Sequence, residues 1–496
     1  MLRSHRCYCV LCLALGLTLA LAFFLLAPLR AGAQPPKKGP LSFINDVAPI
    51  LKENCFACHD AKKRKGKLDL TTYGGLRKGG ARELDLVTPG KPDESLILDQ
   101  LTATDKSRMP PPETGDALPK AKIAIIEQWI KEGAKLDDGL TPKSDLLREL
   151  RVRWVPPAPE SVYPHAVPIT ALAFTPDGQK IIAGGNHELT VWNIANGKLE
   201  KRIRTRAERA YAMAFLPDGK LAVAGGRPGQ EGDVRIYNIT AAPAKMDGGV
   251  AILDGVNDKT VLVKHLLESD DSVLCLDVSA DGKRLVCGGC DRLVNVFDLS
   301  GGYANAKAEQ PPIENHADWV FGVALAPDGQ HLLTCSRDKT AKVWDLKTKE
   351  SVLTFPAHQN TVYAVAVAKD GKSGFSVGED SQVRQWVTSG DGRQLRAMPH
   401  TKPVLKLVHN PKQPLLASCS ADQTVRIWNE QSGAAVRTLS GHTDWVYSVA
   451  FSPDGGTIAA GAHNGEVRVW KVADGVLVKA FNATPGASAT AEAPKK

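Results

Sequence analysis

From residue 165 to residue 482 apolar and polar positions alternate in short runs such as VYSVAFS and TVRIW. That period of two predicts β-strands. The runs come in repeating units. One strand of each unit ends in an aromatic residue: Trp192, Tyr237, Phe297, Trp344, Trp386, Trp428 and Trp470, the last four at intervals of 42 residues. His316, His358, His400 and His442 each stand 28 residues before one of these tryptophans, and His165 stands 27 before Trp192. Six residues before each aromatic lies Asn186, Glu231, Asp291, Asp338, Asp380, Asp422 or Asn464. Turn signals separate the runs: PDG at 176–178, 217–219, 327–329 and 453–455, with Asp281-Gly282 and Asp370-Gly371 elsewhere. Four short strands per unit, at a period of about 40–45 residues, predict a β-propeller. Seven anchor aromatics predict seven blades. A lone four-stranded sheet cannot cover both of its faces, whereas stacking sheets around a ring does.

Residues 41–139 follow a different pattern. In SFINDVAPILKENC the apolar Phe43, Val47, Ile50 and Leu51 fall mostly on one face of a helix, with Pro49 leaving its start open. PKAKIAIIEQWIKEGA sets Ile123, Ile126 and Ile130 on one side and Gly133 near its end, a closing helix. The prediction is a small, mainly α domain. Residues 140–164, with VPPAPESVYP, form a proline-rich joint that cannot continue a helix. ELRVRWVPP (149–157) alternates, with Leu150, Val152 and Trp154 on one face, and reads as a strand packed at the joint. GVLVKAFN (475–482) reads as the outer strand of the last blade, and 483–496 as a small, polar, disordered tail.

Composition adds bounds. The chain has 496 residues, ordinary for two to four units, and its net charge of +8 is spread along its length, which says little about nucleic acid; no nucleic-acid partner is expected. MLRSHR, a long apolar run and then Ala31-Gly32-Ala33 follow the order of a secretory signal, residues 1–33. The alternative is an uncleaved membrane anchor over 7–29, long enough for a bilayer core of about 30 Å. Either reading exports the chain to the periplasm or cell envelope. Three of ten cysteines (Cys7, Cys9, Cys12) belong to the leader. Cys275, Cys287, Cys290, Cys335 and Cys419 fall in predicted strands and read as small buried apolar residues, with a Cys287–Cys290 bridge left open.

The candidate chemistry is ENCFACHD, residues 53–60. Zinc normally takes four ligands, and 41–139 offers only Cys55, Cys58 and His59. A redox dithiol expects a βαβ setting, which is absent from the pattern. C-x-x-C-H is the attachment signal of a c-type haem, with both thiols bonded to the porphyrin and the histidine facing iron. His59 is the only histidine in 41–139 and Met109, in SRMPPPE, the only methionine, so Met109 is the candidate second axial ligand. Its other reading is a core methionine. Trp129 packs either on the porphyrin or, by default, in the core. AKKRKGK (61–67) is either a steering patch for an acidic redox partner or a solvated loop.

Two resemblances sharpen this picture. GHTDWVYSVAFSPDGGTIAAGAHNGEVRVW and SRDKTAKVWD resemble WD repeats, over residues 165–482. The resemblance implies protein–protein contacts through the propeller and hydrogen-bonded sets within blades: His316, Ser336, Asp338 and Trp344 in one, His400, Ser420, Asp422 and Trp428 in another. Blade five has Gly378 at the serine position and blade seven Ala462. DVAPIL, CFACH, KGKLDL, PGKPDESLIL, RMPPP and IEQWIKEGA resemble the planctomycete-type cytochrome c domain. That resemblance implies one covalent haem c on Cys55 and Cys58, axial His59 and Met109, and electron transfer without a catalytic residue. The expected function is an exported electron-transfer cytochrome with the propeller as docking platform. The alternative is a haem-containing oxidoreductase whose substrate pocket the propeller or a partner completes. Trp319 and Trp445 are either partner anchors or covers for strand ends.

Overall fold

Each of the seven anchor aromatics lies on the third strand of its own antiparallel sheet. The computed structural model describes residues 39–81 and 85–486, in two units that meet between Trp154 and Val155. The leader, with Ala31-Gly32-Ala33 and Cys7, Cys9 and Cys12, lies outside the described residues. Among those residues no helix is long and apolar enough to cross a membrane.

The first unit is helical: α1 (Ala48–Asn54), α2 (Tyr73–Lys78), α3 (Leu96–Thr102), α4 (Lys120–Lys131) and α5 (Leu146–Arg153). Pro49 sits in the first turn of α1, where its missing N–H is not needed. Phe43, Leu51, Leu76, Ile126, Trp129 and Ile130 are buried in one core. Trp129 packs there, stacked on Phe43 at 5.1 Å with its Nε1 donating to the Lys135 carbonyl at 3.0 Å. The alternating run at 149–157 is not a strand. Residues 146–153 form α5, because the Asp145 carboxylate accepts from the N–H groups of Leu147 and Arg148 and starts a helix. Leu146, Leu147 and Leu150 then turn onto the core.

The second unit is a seven-bladed propeller. Blades three to seven each take four consecutive strands. Blade two takes its fourth strand from Leu262–Ser269. The intervening insertion forms a hairpin, Lys245–Asp247 with Val250–Asp254, that extends blade one by parallel pairing, Ile203 opposite Leu253. Each anchor aromatic packs in an apolar cluster shared with the preceding blade. Trp344 lies with Val286 and Val296 of blade three, and Trp386 with Leu333 and Val343 of blade four.

Trp192 closes the ring against Val467 and Val469 of blade seven and stacks on Phe481 at 5.4 Å. Leu477–Asn482 is the outer strand of blade seven, so no strand is exchanged at closure. The seam is held side to side by Ile169 N donating to Ala462 O (3.1 Å) and Ser448 Oγ to Ile169 O (2.7 Å). Ala483 and Thr484 do not belong to a tail. Both are buried, and the Thr484 hydroxyl accepts from Val167 N at 3.0 Å. The thiols of Cys287 and Cys290 are free.

The hydrogen-bonded sets sit one step from the expected register. In blade four His316 bonds Asp338 (2.8 Å) through Nδ1 and Thr334 (2.7 Å) through Nε2, and Trp344 Nε1 donates to the same hydroxyl at 2.7 Å. Ser336 donates instead to the Asp318 carbonyl. In blade six the shared hydroxyl is Ser418, while Ser420 donates to the carbonyls of Lys402 and Pro403. Side chains two apart share a strand face, and here the more interior one meets both rings. The shift reveals a third complete set, His358, Ser376, Asp380 and Trp386, in the blade where Gly378 marks the wrong position. In blade seven the equivalent is Ala460, and His442 Nε2 is buried without a partner. Ala460→Ser should therefore stabilise the propeller by about 0.5–1.5 kcal/mol, read as a higher denaturant midpoint; a midpoint at or below wild type would count against the register.

These sets also confer acid sensitivity. Burial would raise the Asp338, Asp380 and Asp422 carboxyls, but the hydrogen bonds and charge of their histidines, together with the contacts of Thr340, Arg384 and Thr424, outweigh it and hold all three below the usual carboxylate range. A depressed folded-state value stabilises above the unfolded value, about 3.9, and that stabilisation is lost as pH falls toward the folded one. The urea midpoint should hold between about pH 7 and 5 and drop below about pH 4. A midpoint unchanged at pH 3 would contradict the linkage.

Candidate functional site

α1 ends at Asn54, and the chain turns back at once: Cys55 N and Phe56 N both donate to Leu51 O, and His59 N donates to Cys55 O at 3.1 Å. The turn puts Cys55, Cys58 and His59 along a cavity of about 780 Å³. Met109 lines the same cavity from the segment after α3, where its N–H donates to the Gln100 carbonyl at 2.8 Å. Pro110 and Pro111 follow it along the wall. Leu70, Leu86, Ile97, Leu101 and Leu118 make much of the remainder apolar. The volume lies within the roughly 300–1,000 Å³ of cofactor sites.

The His59 ring is oriented. Nδ1 lies 2.9 Å from the Lys65 carbonyl, which can only accept, so Nδ1 carries the proton and Nε2 keeps its lone pair. Burial pulls the imidazole below its ordinary value and so favours the neutral form a metal needs. Burial, with Cys58 beside it, pushes the Cys55 thiol up to about 12. Reactive redox dithiols depend on a lowered value, the opposite of the direction at Cys55. Among the described residues no group of three or more His, Cys, Asp and Glu side chains could hold a free metal ion.

The basic run is tied to this site. Asp60 accepts from Lys62 N and Lys63 N, and Arg64, Gly66 and Lys67 take left-handed φ of 40°, 65° and 58°. The resulting tight turn delivers the Lys65 carbonyl to His59, and Lys65 and Gly66 line the cavity. Lys62, Lys63 and Lys67 stay exposed. Sequence reading missed the two carbonyls of Lys65 and Gln100, since a backbone acceptor leaves no residue signature; Asp60 and Gly66 are the available clues to the turn.

The propeller offers a central channel of about 470 Å³ lined by its seven inner strands. Trp319 is 37% exposed and Trp445 48%, the Arg337 guanidinium lying 5.0 Å over the Trp319 ring.

Comparison with known proteins agrees with this division. Residues 55–113 match the planctomycete cytochrome C model. The WD domain, G-beta repeat model matches six times, over 159–193, 259–298, 310–345, 349–387, 392–429 and 433–471. The chain joins a domain that matches the planctomycete cytochrome C family to a seven-bladed WD-repeat propeller. The repeat model leaves out blade two, whose Tyr237 replaces the tryptophan and whose fourth strand follows an insertion. Similar proteins include the nuclear distribution protein PAC1 of Arthroderma otae, 27% identical over 220 residues, 42% of this chain and 43% of that protein. The nuclear distribution protein nudF of Aspergillus niger is 22% identical over 249 residues, 50% of this chain and 51% of that protein. WD repeat-containing protein 1 of Mus musculus is 33% identical over 89 residues, 18% of this chain and 14% of that protein. The chain spans about half or less of the length of these relatives.

Proposed function

We propose that this chain is an exported electron-transfer cytochrome, carrying one haem c on Cys55 and Cys58, whose WD-repeat propeller docks it to a redox partner. The observation that carries the reading is the shared cavity: the C-x-x-C-H residues and the domain's single methionine line one largely apolar space of about 780 Å³. The residues fit the group. The two thiols lie in one turn, Nε2 of His59 is the free ring nitrogen, and the Met109 thioether comes from a backbone pinned to α3. Haem bound there would supply one-electron exchange at iron, with the methionine favouring the reduced state. The Lys65 carbonyl orients His59, the apolar wall excludes water, and the prolines after Met109 restrict its backbone. With both His59 and Met109 holding the iron no position would be left for a substrate, which favours a carrier over an oxidoreductase. Exposed Lys62, Lys63 and Lys67, on the turn that holds His59, suit an acidic partner, with attraction that weakens as salt is added.

Met109→Ala is expected to leave the haem attached, to change its visible spectrum and to lower its midpoint potential, within the range of about 0.8 V that axial ligands span. Unchanged spectrum and potential would remove Met109 from the iron. A spectrum of the unaltered protein that shifts with added cyanide or imidazole would instead favour the oxidoreductase.

A further inference from the structure

Six of the inner strands open with a bulge that places one residue at the channel mouth and the next a step below. The residues at that lower step are Ala212, Cys275, Gly322, Ala364, Lys406 and Ser448, and all six line the channel. Five are small. Lys406 alone is long and charged, at a position the propeller elsewhere fills with no more than a thiol or hydroxyl.

Nothing in the fold accounts for that charge. Among the described residues Lys406 has no carboxylate at ion-pair distance and no hydrogen bond to its ammonium. Its charge reaches the thiols of Cys275, Cys335 and Cys419 on blades three, four and six, which places it at the channel's interior. The other titratable groups of the lining are engaged elsewhere. Asp277 accepts from the N–H groups of Leu325 and Val278, and burial pushes its carboxyl up to about 6. His409 faces Glu430 at 3.7 Å, and burial draws its ring down to about 4, which keeps it neutral. Aromatic rings share the channel with the lysine: Tyr211 and Phe321 line it, and Tyr363 packs edge-on to Phe321 at 5.4 Å.

Lys406 is only partly buried, so its ammonium, with no carboxylate beside it, stays open to a counter-charge that enters the channel. Placed polar groups beside apolar and aromatic side chains, in a cavity of this volume, are the ordinary make-up of a small-ligand site. We propose that the channel binds a carboxylate carried on an aromatic or apolar body, the anion meeting Lys406 and the body lying against Tyr211 and Phe321. The acid can be a free small molecule or the carboxyl end of a peptide chain. This site concerns the propeller alone and does not depend on the haem reading.

The test is calorimetric titration of the full-length protein with 3-phenylpropionate, its neutral amide, and the tripeptide Ala-Ala-Phe with a free or an amidated end. The acids should bind saturably, and the amides about tenfold or more weaker, since a charge-assisted contact is lost. Lys406→Met should weaken the acids to the level of the amides, and Lys406→Arg should restore most of the affinity. A free-ended peptide tighter than phenylpropionate identifies a chain end as the ligand; the reverse identifies a small acid. No saturable binding of either acid, equal binding of acid and amide, or full affinity in Lys406→Met overturns the proposal. Should Lys406→Met fail to fold, the acid–amide comparison on the unaltered protein decides by itself.

Discussion

Cys55→Ser combined with Cys58→Ser should yield a colourless polypeptide after denaturation, under expression conditions in which the unaltered chain remains coloured. Only thioether bonds survive denaturation, so covalent colour reports the two thiols directly. The cysteines share a single turn after α1 and both line the cavity. Each single variant should retain haem through one bond and lose part of the yield. The propeller should be untouched, because the two cysteines lie in the other unit; its far-ultraviolet signal and denaturant midpoint are the controls. Colour that persists in the double variant, or a colourless unaltered protein made with competent haem-ligation machinery, would end the cytochrome reading while leaving the propeller's own chemistry standing.

Trp386→Ala should destabilise the propeller by about 3–5 kcal/mol, read as a lower urea midpoint. The ring is fully buried, stacks on Phe355 at 5.0 Å with a 10° interplanar angle, and donates to Ser376. It lies in the cluster between blades four and five, so truncation opens a void at a joint between repeats. Trp445→Ala is the contrast. That ring is 48% exposed, and its loss should change stability by about 0.5 kcal/mol or less. Equal effects from the two would mean that the repeat tryptophans do not hold blade to blade.

How much of this was legible beforehand depended on the kind of signal. The seven blades were, because their aromatics and turns recur, the last four aromatics at a constant interval of 42 residues, and each marks a third strand. The register of the hydrogen-bonded sets was not: Ser336 and Thr334 point to the same face, and only the position of the tryptophan ring tells which hydroxyl it reaches. Residues 149–157 misled because LRVRW satisfies both periods, and Asp145, four residues before the run begins at Glu149, decides for helix. Composition likewise placed Ala483 and Thr484 in a tail, since small polar residues pack as readily as they dangle when a neighbouring strand supplies donors. The cavity residues could be named from their spacing, but the Lys65 carbonyl that orients His59 belongs to no side chain and leaves no trace in a residue pattern.

Because the first and last blades pack face to face with no shared strand, both ends of the ring emerge at one clasp, near Val167 and Thr484. A pull applied between those ends would load that clasp before any other joint, and the remaining blades would feel the tension only once it had parted. A bridge engineered across the same two ends should therefore toughen the ring more than one placed at any other joint.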